Sequence, residues 1–209
     1  CLRECTVKAI KVENGHAQVV PELCILCGHC VQVCPVGAKK VRDDLDRVKQ
    51  LLALSGNVYA SLAPSFVTEF PGVPGEALVE ALLALGFRGV SETALGAEEV
   101  SRVVADRMRS GERTILFSSA CPTAVELLKK YHPDHGRSVT DLYSPLLAHA
   151  AMLKKLYGPE TEIVFIGPCI SKKREADLHP ELLAAAITFS DLRTWFDEKS
   201  LDPERMRPA

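Results

Sequence analysis

The residues of this chain best suited to chemistry are its eight cysteines, and six of them crowd into the first 34 positions: Cys1, Cys5, Cys24, Cys27, Cys30 and Cys34. Thiols at such short spacing read as metal or cluster ligands before they read as disulfides, because a reducing compartment keeps them free to ionise and coordinate. Two more, Cys121 and Cys169, stand alone. Each follows an apolar run, TILFSS at 114–119 and EIVFIG at 162–167. A lone cysteine is ordinarily a small buried hydrophobe. Two at the ends of equivalent strands, behind a cysteine-rich unit, read instead as ligands reaching into one site.

The segment CILCGHCVQVCP, Cys24 to Pro35, has the spacing C-x2-C-x2-C-x3-C-P. It resembles the ligand run of bacterial ferredoxins with two 4Fe-4S clusters. Two-residue gaps let one tight loop set three thiolates around a cubane, and the three-residue gap sends the fourth to the other cluster. Upstream, CLREC keeps the C-x3-C end of a second copy. On this pattern Cys5, Cys24, Cys27 and Cys30 complete one cluster. Cys1 and Cys34 supply half of another, whose first two ligands would precede residue 1. Zinc sites favour paired C-x2-C knuckles over a triple-plus-one run. Thr6 stands where the pattern has a proline, and His29 reads as a spacer inside the loop.

The elements that must position these residues follow from the patterning. AIKVENGHAQVV alternates around Asn14-Gly15, a hairpin signal. Residues 43–56 have helical spacing and stop at Gly56, which makes a connector. Beyond them short apolar runs at 58–63, 114–119, 162–167 and 184–190 alternate with helical patterns, which predicts a parallel sheet covered by helices. The fold class is therefore α/β: a small ferredoxin-like α+β unit over 1–40, a helical connector over 41–56, and a helix-covered sheet over 57–209. In such a sheet ligands gather beyond the carboxyl ends of the strands, which is where Cys121 and Cys169 would meet. The balance is that of an ordinary soluble domain, with 47% hydrophobic and 25% charged residues. A net charge of −2 gives no general affinity for nucleic acid or anionic membrane. No run approaches a membrane span, so the expected location is cytoplasmic. The chain begins on a cysteine and reads as a piece of a longer protein.

A more specific resemblance emerges from the later motifs. SSACPTAVELLKKYHP resembles the T-S-C-C-P-G-W motif of iron-iron hydrogenases, and GPCISKKREAD their M-P-C-x-x-K-K-x-E motif. SVTDLYSPLLAHAAMLKKLYG is similar to the family's K-S-P-Q-Q-M-x-G-A segment, and VYASLAPSFVTEF to its opening strand. In that family four cysteines hold a 4Fe-4S cluster, one of which bridges to a diiron subsite. The resemblance assigns Cys121 as the first ligand and Cys169 as the second. It makes Lys172 the lysine that contacts the diiron group and Glu175 the glutamate after it. The third and fourth ligands belong to a later C-x3-C motif, and no cysteine follows Cys169.

The departures bear on function. Ala120 stands where catalytic members carry a proton-relay cysteine, Val103 near the relay glutamate, and Gly167 at the Met of M-P-C. His132, Asp134 and His135 read as a solvated loop, and the segment around Trp195 as a core-packing helix. Lys172 and Lys173, without the motif, would read equally as an exposed helix face. The leading expectation is iron-sulfur electron transfer in a hydrogenase-related protein with a sensory or regulatory role. Its partners would be a redox protein or ferredoxin, and a missing C-terminal lobe or output domain. The alternatives are a hydrogen-turning enzyme completed by that second lobe, and a non-catalytic carrier or scaffold. By itself the segment is expected to be inactive.

Overall fold

The structure is a computed structural model and describes residues 2–111 and 115–207. In chain order its elements are β1 (Ile10–Glu13), β2 (His16–Val19), α1 (His29–Gln32), α2 (Leu45–Leu54), β3 (Val58–Leu62), α3 (Phe66–Glu69), α4 (Gly75–Ala84), β4 (Gly89–Glu92) and α5 (Ala94–Arg109). Then come α6 (Pro122–Tyr131), α7 (Pro133–Gly136), α8 (Pro145–Tyr157), β5 (Glu162–Gly167), α9 (Ser171–Leu178), β6 (Ala185–Thr188) and α10 (Phe189–Lys199). They fall into two compact units, Cys1–Arg42 with Ile115–Asp141, and Asp43–Thr114 with Leu142–Ala209.

The first unit holds the expected hairpin. β1 and β2 pair antiparallel, and Asn14 and Gly15 both take positive φ, as a two-residue turn of that hand requires. The apolar run 114–119 behaves differently from expectation. Thr114 lies outside the described residues, and 115–119 join no strand of the sheet. Phe117 makes one isolated parallel bridge to Val139, and Ile115 is 61% exposed. Hydroxyls take up the neighbouring backbone donors: Thr140 Oγ1 accepts from the N–H of Ser119 and Ser118 Oγ from that of Ala120. Side chains that satisfy the backbone locally compete with a ladder. An apolar run by itself cannot report that competition.

The second unit is the α/β layer. Its four strands are all parallel, in the order β4-β3-β5-β6, with Ala60 opposite Val164 and Val164 opposite Ala185. β3 is buried along its whole length and β5 at all but its first residue, as strands covered on both faces must be. The chain leaves β3 for β4 on one side and returns from β4 across β3 to β5 on the other. The winding therefore reverses between β3 and β5, and the crevice beyond their carboxyl ends is the natural ligand site of such a sheet.

Parts of β3 are polar, and that polarity fixes a helix. Ser61 Oγ lies 2.8 Å from His149 Nδ1 and 2.8 Å from Thr93 Oγ1, while Ser91 Oγ lies 2.8 Å from His149 Nε2. Neutral imidazole has one donor and one acceptor nitrogen, so two hydroxyls satisfy it. α8 is thereby tied to β3 and β4. α5 crosses α8 closely at Gly96, where an added Cβ would come within 2.1 Å of the Pro145 carbonyl oxygen and 2.7 Å of the His149 backbone nitrogen.

Two outcomes follow. Gly96→Ala meets backbone that cannot move aside, so it should lower stability by about 1–3 kcal/mol or more, read from the urea midpoint. An unchanged midpoint would mean that the two helices do not touch there. Burial holds the His149 imidazole down at about 4, below its ordinary 6.5. Between these values the unfolded chain binds a proton that the folded chain refuses. Its contribution, roughly 3 kcal/mol, is complete above the unfolded value and is lost as pH falls toward the folded one. Unfolding midpoints measured from about pH 7 down to pH 5 should fall more steeply in the wild type than in His149→Gln. Equal slopes would exclude a buried neutral histidine.

Candidate functional site

In the first unit, Cys5, Cys24, Cys27 and Cys30 line one small cavity together with the apolar Val7, Ile10 and Ile25. The local backbone explains how one loop turns several thiols toward it. Leu26 and Gly28 take positive φ on either side of Cys27. A non-glycine residue in that region is uncommon and marks a tight constraint. The N–H of Leu26 then reaches Cys24 Sγ at 3.4 Å, and the N–H of Ala9 reaches Cys5 Sγ at 3.3 Å. Hydrogen bonds to the ligand sulfurs are one of the means by which a protein tunes an iron-sulfur cluster. Burial pushes the Cys30 thiol up, and the nearby Cys24, Cys27 and Cys5 push it further. Four cysteine sulfurs lining one cavity are the donor set that an iron-sulfur core takes. The residues present therefore fit a cluster. Among the described residues no three Cys, His, Asp or Glu side chains converge as one single metal ion requires. His29 lines the same cavity.

Cys34 is not among the residues lining that cavity. Its sulfur accepts from the N–H of Ala38 at 3.2 Å, and that bond draws its thiol below the ordinary value. Cys1 lies outside the described residues, so of the two cysteines expected to serve a second cluster only Cys34 is described.

Cys121 belongs to this first unit and is the exposed N-cap of α6, with Pro122 in the first turn. Because 115–119 lie outside the sheet, Cys121 does not stand at a strand's carboxyl end. The expectation that equivalent strands deliver Cys121 and Cys169 therefore does not hold for Cys121. What α6 does instead is bind the cysteine loop. Thr123 Oγ1 donates to the Leu26 carbonyl at 3.4 Å, and Lys130 Nζ donates to the carbonyls of Cys24 at 2.8 Å and Pro21 at 3.3 Å. The Tyr131 hydroxyl lies 2.7 Å from the Leu23 carbonyl oxygen and 3.2 Å from that of Val7.

In the second unit Cys169 lies two residues beyond β5, at the reversal between β3 and β5. Its sulfur is 2.9 Å from Ser171 Oγ. Gly167 is needed where the family motif has Met: an added Cβ would meet Ala63 Cβ at 2.7 Å and the Phe165 ring at 2.5 Å. α9 follows, and its lysines are not an exposed face, being 8% and 4% exposed at Lys172 and Lys173. Lys172 Nζ donates to Glu175 Oε2 at 2.6 Å and to Ser144 Oγ at 3.2 Å. Lys173 sits between Asp191 at 2.9 Å and Asp44 at 3.3 Å. A buried ammonium needs such partners, because desolvation of an unpaired one costs several kcal/mol.

Sequence reasoning passed over Ser144, Ser61, His149, Lys130 and Tyr131. Signals existed for three of them. Ser144-Pro145 ahead of an apolar helix is an N-cap signature. A serine inside the apolar run 58–63 and a histidine amid the apolar residues of α8 each announce a buried polar partner. The Glu126–Lys130 spacing announces a helix-face ion pair, but nothing local marks the loop carbonyls that Lys130 and Tyr131 reach, about a hundred residues away.

Residues 17–40 match the 4Fe-4S binding domain, and residues 56–209 match the C-terminal domain of the iron only hydrogenase large subunit. The chain is similar to the NADP-reducing hydrogenase subunit HndD of Solidesulfovibrio fructosivorans, 28% identical over an alignment of 179 residues that covers 73% of this chain and 31% of that protein. It is similar to the apo FeFe-hydrogenase HydA1 of Chlamydomonas reinhardtii, with a TM-score of 0.68 and 25% identity over 80% of this chain and 50% of that one. A structure of HydA that describes stepwise assembly of the H-cluster gives the same TM-score, identity and coverage. The chain thus spans about a third of that curated relative and about half of the solved ones. Among the described residues no helix is long and apolar enough to cross a membrane. An iron-sulfur motif followed by this domain match places the chain in the iron-only hydrogenase large-subunit family.

Proposed function

We propose that this chain is the electron-handling part of a hydrogenase-type protein with a sensory or regulatory role in hydrogen or redox metabolism. In this reading Cys5, Cys24, Cys27 and Cys30 hold a 4Fe-4S cluster, Cys1 and Cys34 contribute to a second, and Cys121 and Cys169 are two of the four thiols of a hydrogenase-type cluster. The residue boundaries 1–40, 41–56 and 57–209 describe its cluster segment, connector and hydrogenase-type lobe. The observation that carries the reading is the set of four cysteines lining one cavity. A bound 4Fe-4S cluster would accept and release one electron at a time; the protein's own part is to hold it, bury it and set the charges near it. The partner is a soluble redox protein, a ferredoxin or an NADP-linked subunit of the kind that HndD's name implies, and the place is the cytoplasm.

The sensory ranking rests on two side chains. Hydrogen turnover needs protons delivered through groups that can both take and give them. Ala120 and Val103 occupy the positions matched to the family's relay thiol and relay carboxylate, and neither a methyl nor an isopropyl group carries a proton. A catalytic reading is favoured by a different observation: Lys172 and Glu175 are both present, buried and joined at 2.6 Å. The two readings differ in rate, since losing a general acid or base typically costs about 10²–10⁴-fold.

Anaerobic reconstitution of the chain should yield labile sulfide and an electron paramagnetic resonance signal after reduction. Cys27→Ala should abolish the signal of this cluster. Stoichiometric zinc without sulfide would overturn the assignment. In the complete protein, matured with its diiron group, hydrogen turnover should be slow beside catalytic relatives and should rise in Ala120→Cys. Full catalytic rates in the wild type, with no gain in the variant, would remove the sensory role.

A further inference from the structure

We infer that Lys130 and Glu126 of α6 set the reduction potential of the cluster held by Cys5, Cys24, Cys27 and Cys30. The inference rests on the cluster assignment above and goes beyond it, because neither residue is a ligand. α6 lies in the same compact unit as the cysteine loop. The Lys130 ammonium bonds the backbone carbonyl of a proposed ligand, Cys24, at 2.8 Å, and that of Pro21 at 3.3 Å. One turn back, Glu126 Oε2 lies 2.8 Å from the same nitrogen. The lysine side chain is only 24% exposed and the glutamate 28%, so water screens neither fully. Their neighbours hold them in place: Tyr131 bonds the loop at Leu23, and Thr123 bonds it at Leu26.

The physical effect has a definite sign. Reduction adds one electron from an external donor to the cluster and makes it more negative. Net charge near a cluster and hydrogen bonds around it are the protein's means of moving its potential. A cation against the Cys24 carbonyl stabilises the reduced state and raises the potential. The glutamate beside it opposes that effect and leaves the pair close to neutral. Removing either charge exposes the other, so the two removals must shift the potential in opposite directions.

The test is a redox titration of the anaerobically reconstituted full chain, with dithionite as reductant and the reduced-cluster resonance as readout. Lys130→Met should lower the potential, with the reduction equilibrium changing by up to about tenfold, or about 59 mV for one electron. Glu126→Gln should raise it by a comparable amount, and Lys130→Arg should restore the wild-type value. A structural role alone predicts cluster loss or shifts of one sign. Equal potentials in all variants, same-sign shifts, or loss of the cluster from Lys130→Met with no shift in Glu126→Gln would each overturn the inference. A wild-type chain that holds no cluster would overturn the cluster assignment and this inference together, whereas a loaded chain with unmoved potentials would overturn this inference alone.

Discussion

Ser61 lies in β3, a strand buried along its whole length, and a hydroxyl there must find a partner or cost the protein about 1–3 kcal/mol. It finds two, Thr93 and His149, and His149 in turn takes Ser91. Much of the second unit depends on this network. It ties α8 to two strands at once, and Gly96 lets α5 approach α8 without a side chain between them. The N-cap of that helix, Ser144, is then held where it can accept from Lys172. A polar group inside an apolar strand thus positions a buried ammonium on another helix, through one imidazole and one cap.

The same unit spends its buried charge in pairs. Lys172 meets Glu175, and Lys173 meets Asp44 and Asp191. Buried ion pairs are weak evidence for stability, since desolvation offsets much of their attraction, but breaking one is costly. Their consequence here is orientation. α9 begins two residues after Cys169, at the reversal between β3 and β5, and its two lysines cannot swing into solvent without breaking these ion pairs. The segment carrying Lys172 and Glu175 is therefore held by a salt bridge within α9 and by two more to Asp44 and Asp191.

The first unit has a smaller apolar core and is organised around backbone groups. Positive φ at Leu26 and Gly28 bends the cysteine loop, and backbone donors reach the sulfurs of Cys5 and Cys24. α6 takes the loop carbonyls of Pro21, Leu23, Cys24 and Leu26 with three side chains. A helix from the hydrogenase-type part of the chain thereby serves as scaffold and as a source of charge for the cysteine loop.

The cysteine spacing, the Asn14-Gly15 turn, the parallel strands at 58–62, 162–167 and 185–188 and most of the long helices were legible from residue type and period alone. These are local or strongly periodic features, and the spacing of four thiols already encodes the size of the group they surround. β4 was not legible, because it has four residues, opens on a glycine pressed against the Tyr59 ring, and is only half-buried. Residues 115–119 carry a strand's composition without a place in the sheet, since hydroxyls and one bridge satisfy their backbone. Periodicity likewise could not bury Lys172 and Lys173, whose environment is made by Ser144, Asp44 and Asp191 from elsewhere in the chain. The sequence by itself determined which chemistry the chain can hold, because ligand type and spacing are properties of short segments. Only the tertiary structure decided which charges and hydroxyls stand beside those thiols, because most such partners are selected by desolvation and packing between segments from under twenty to more than a hundred residues apart.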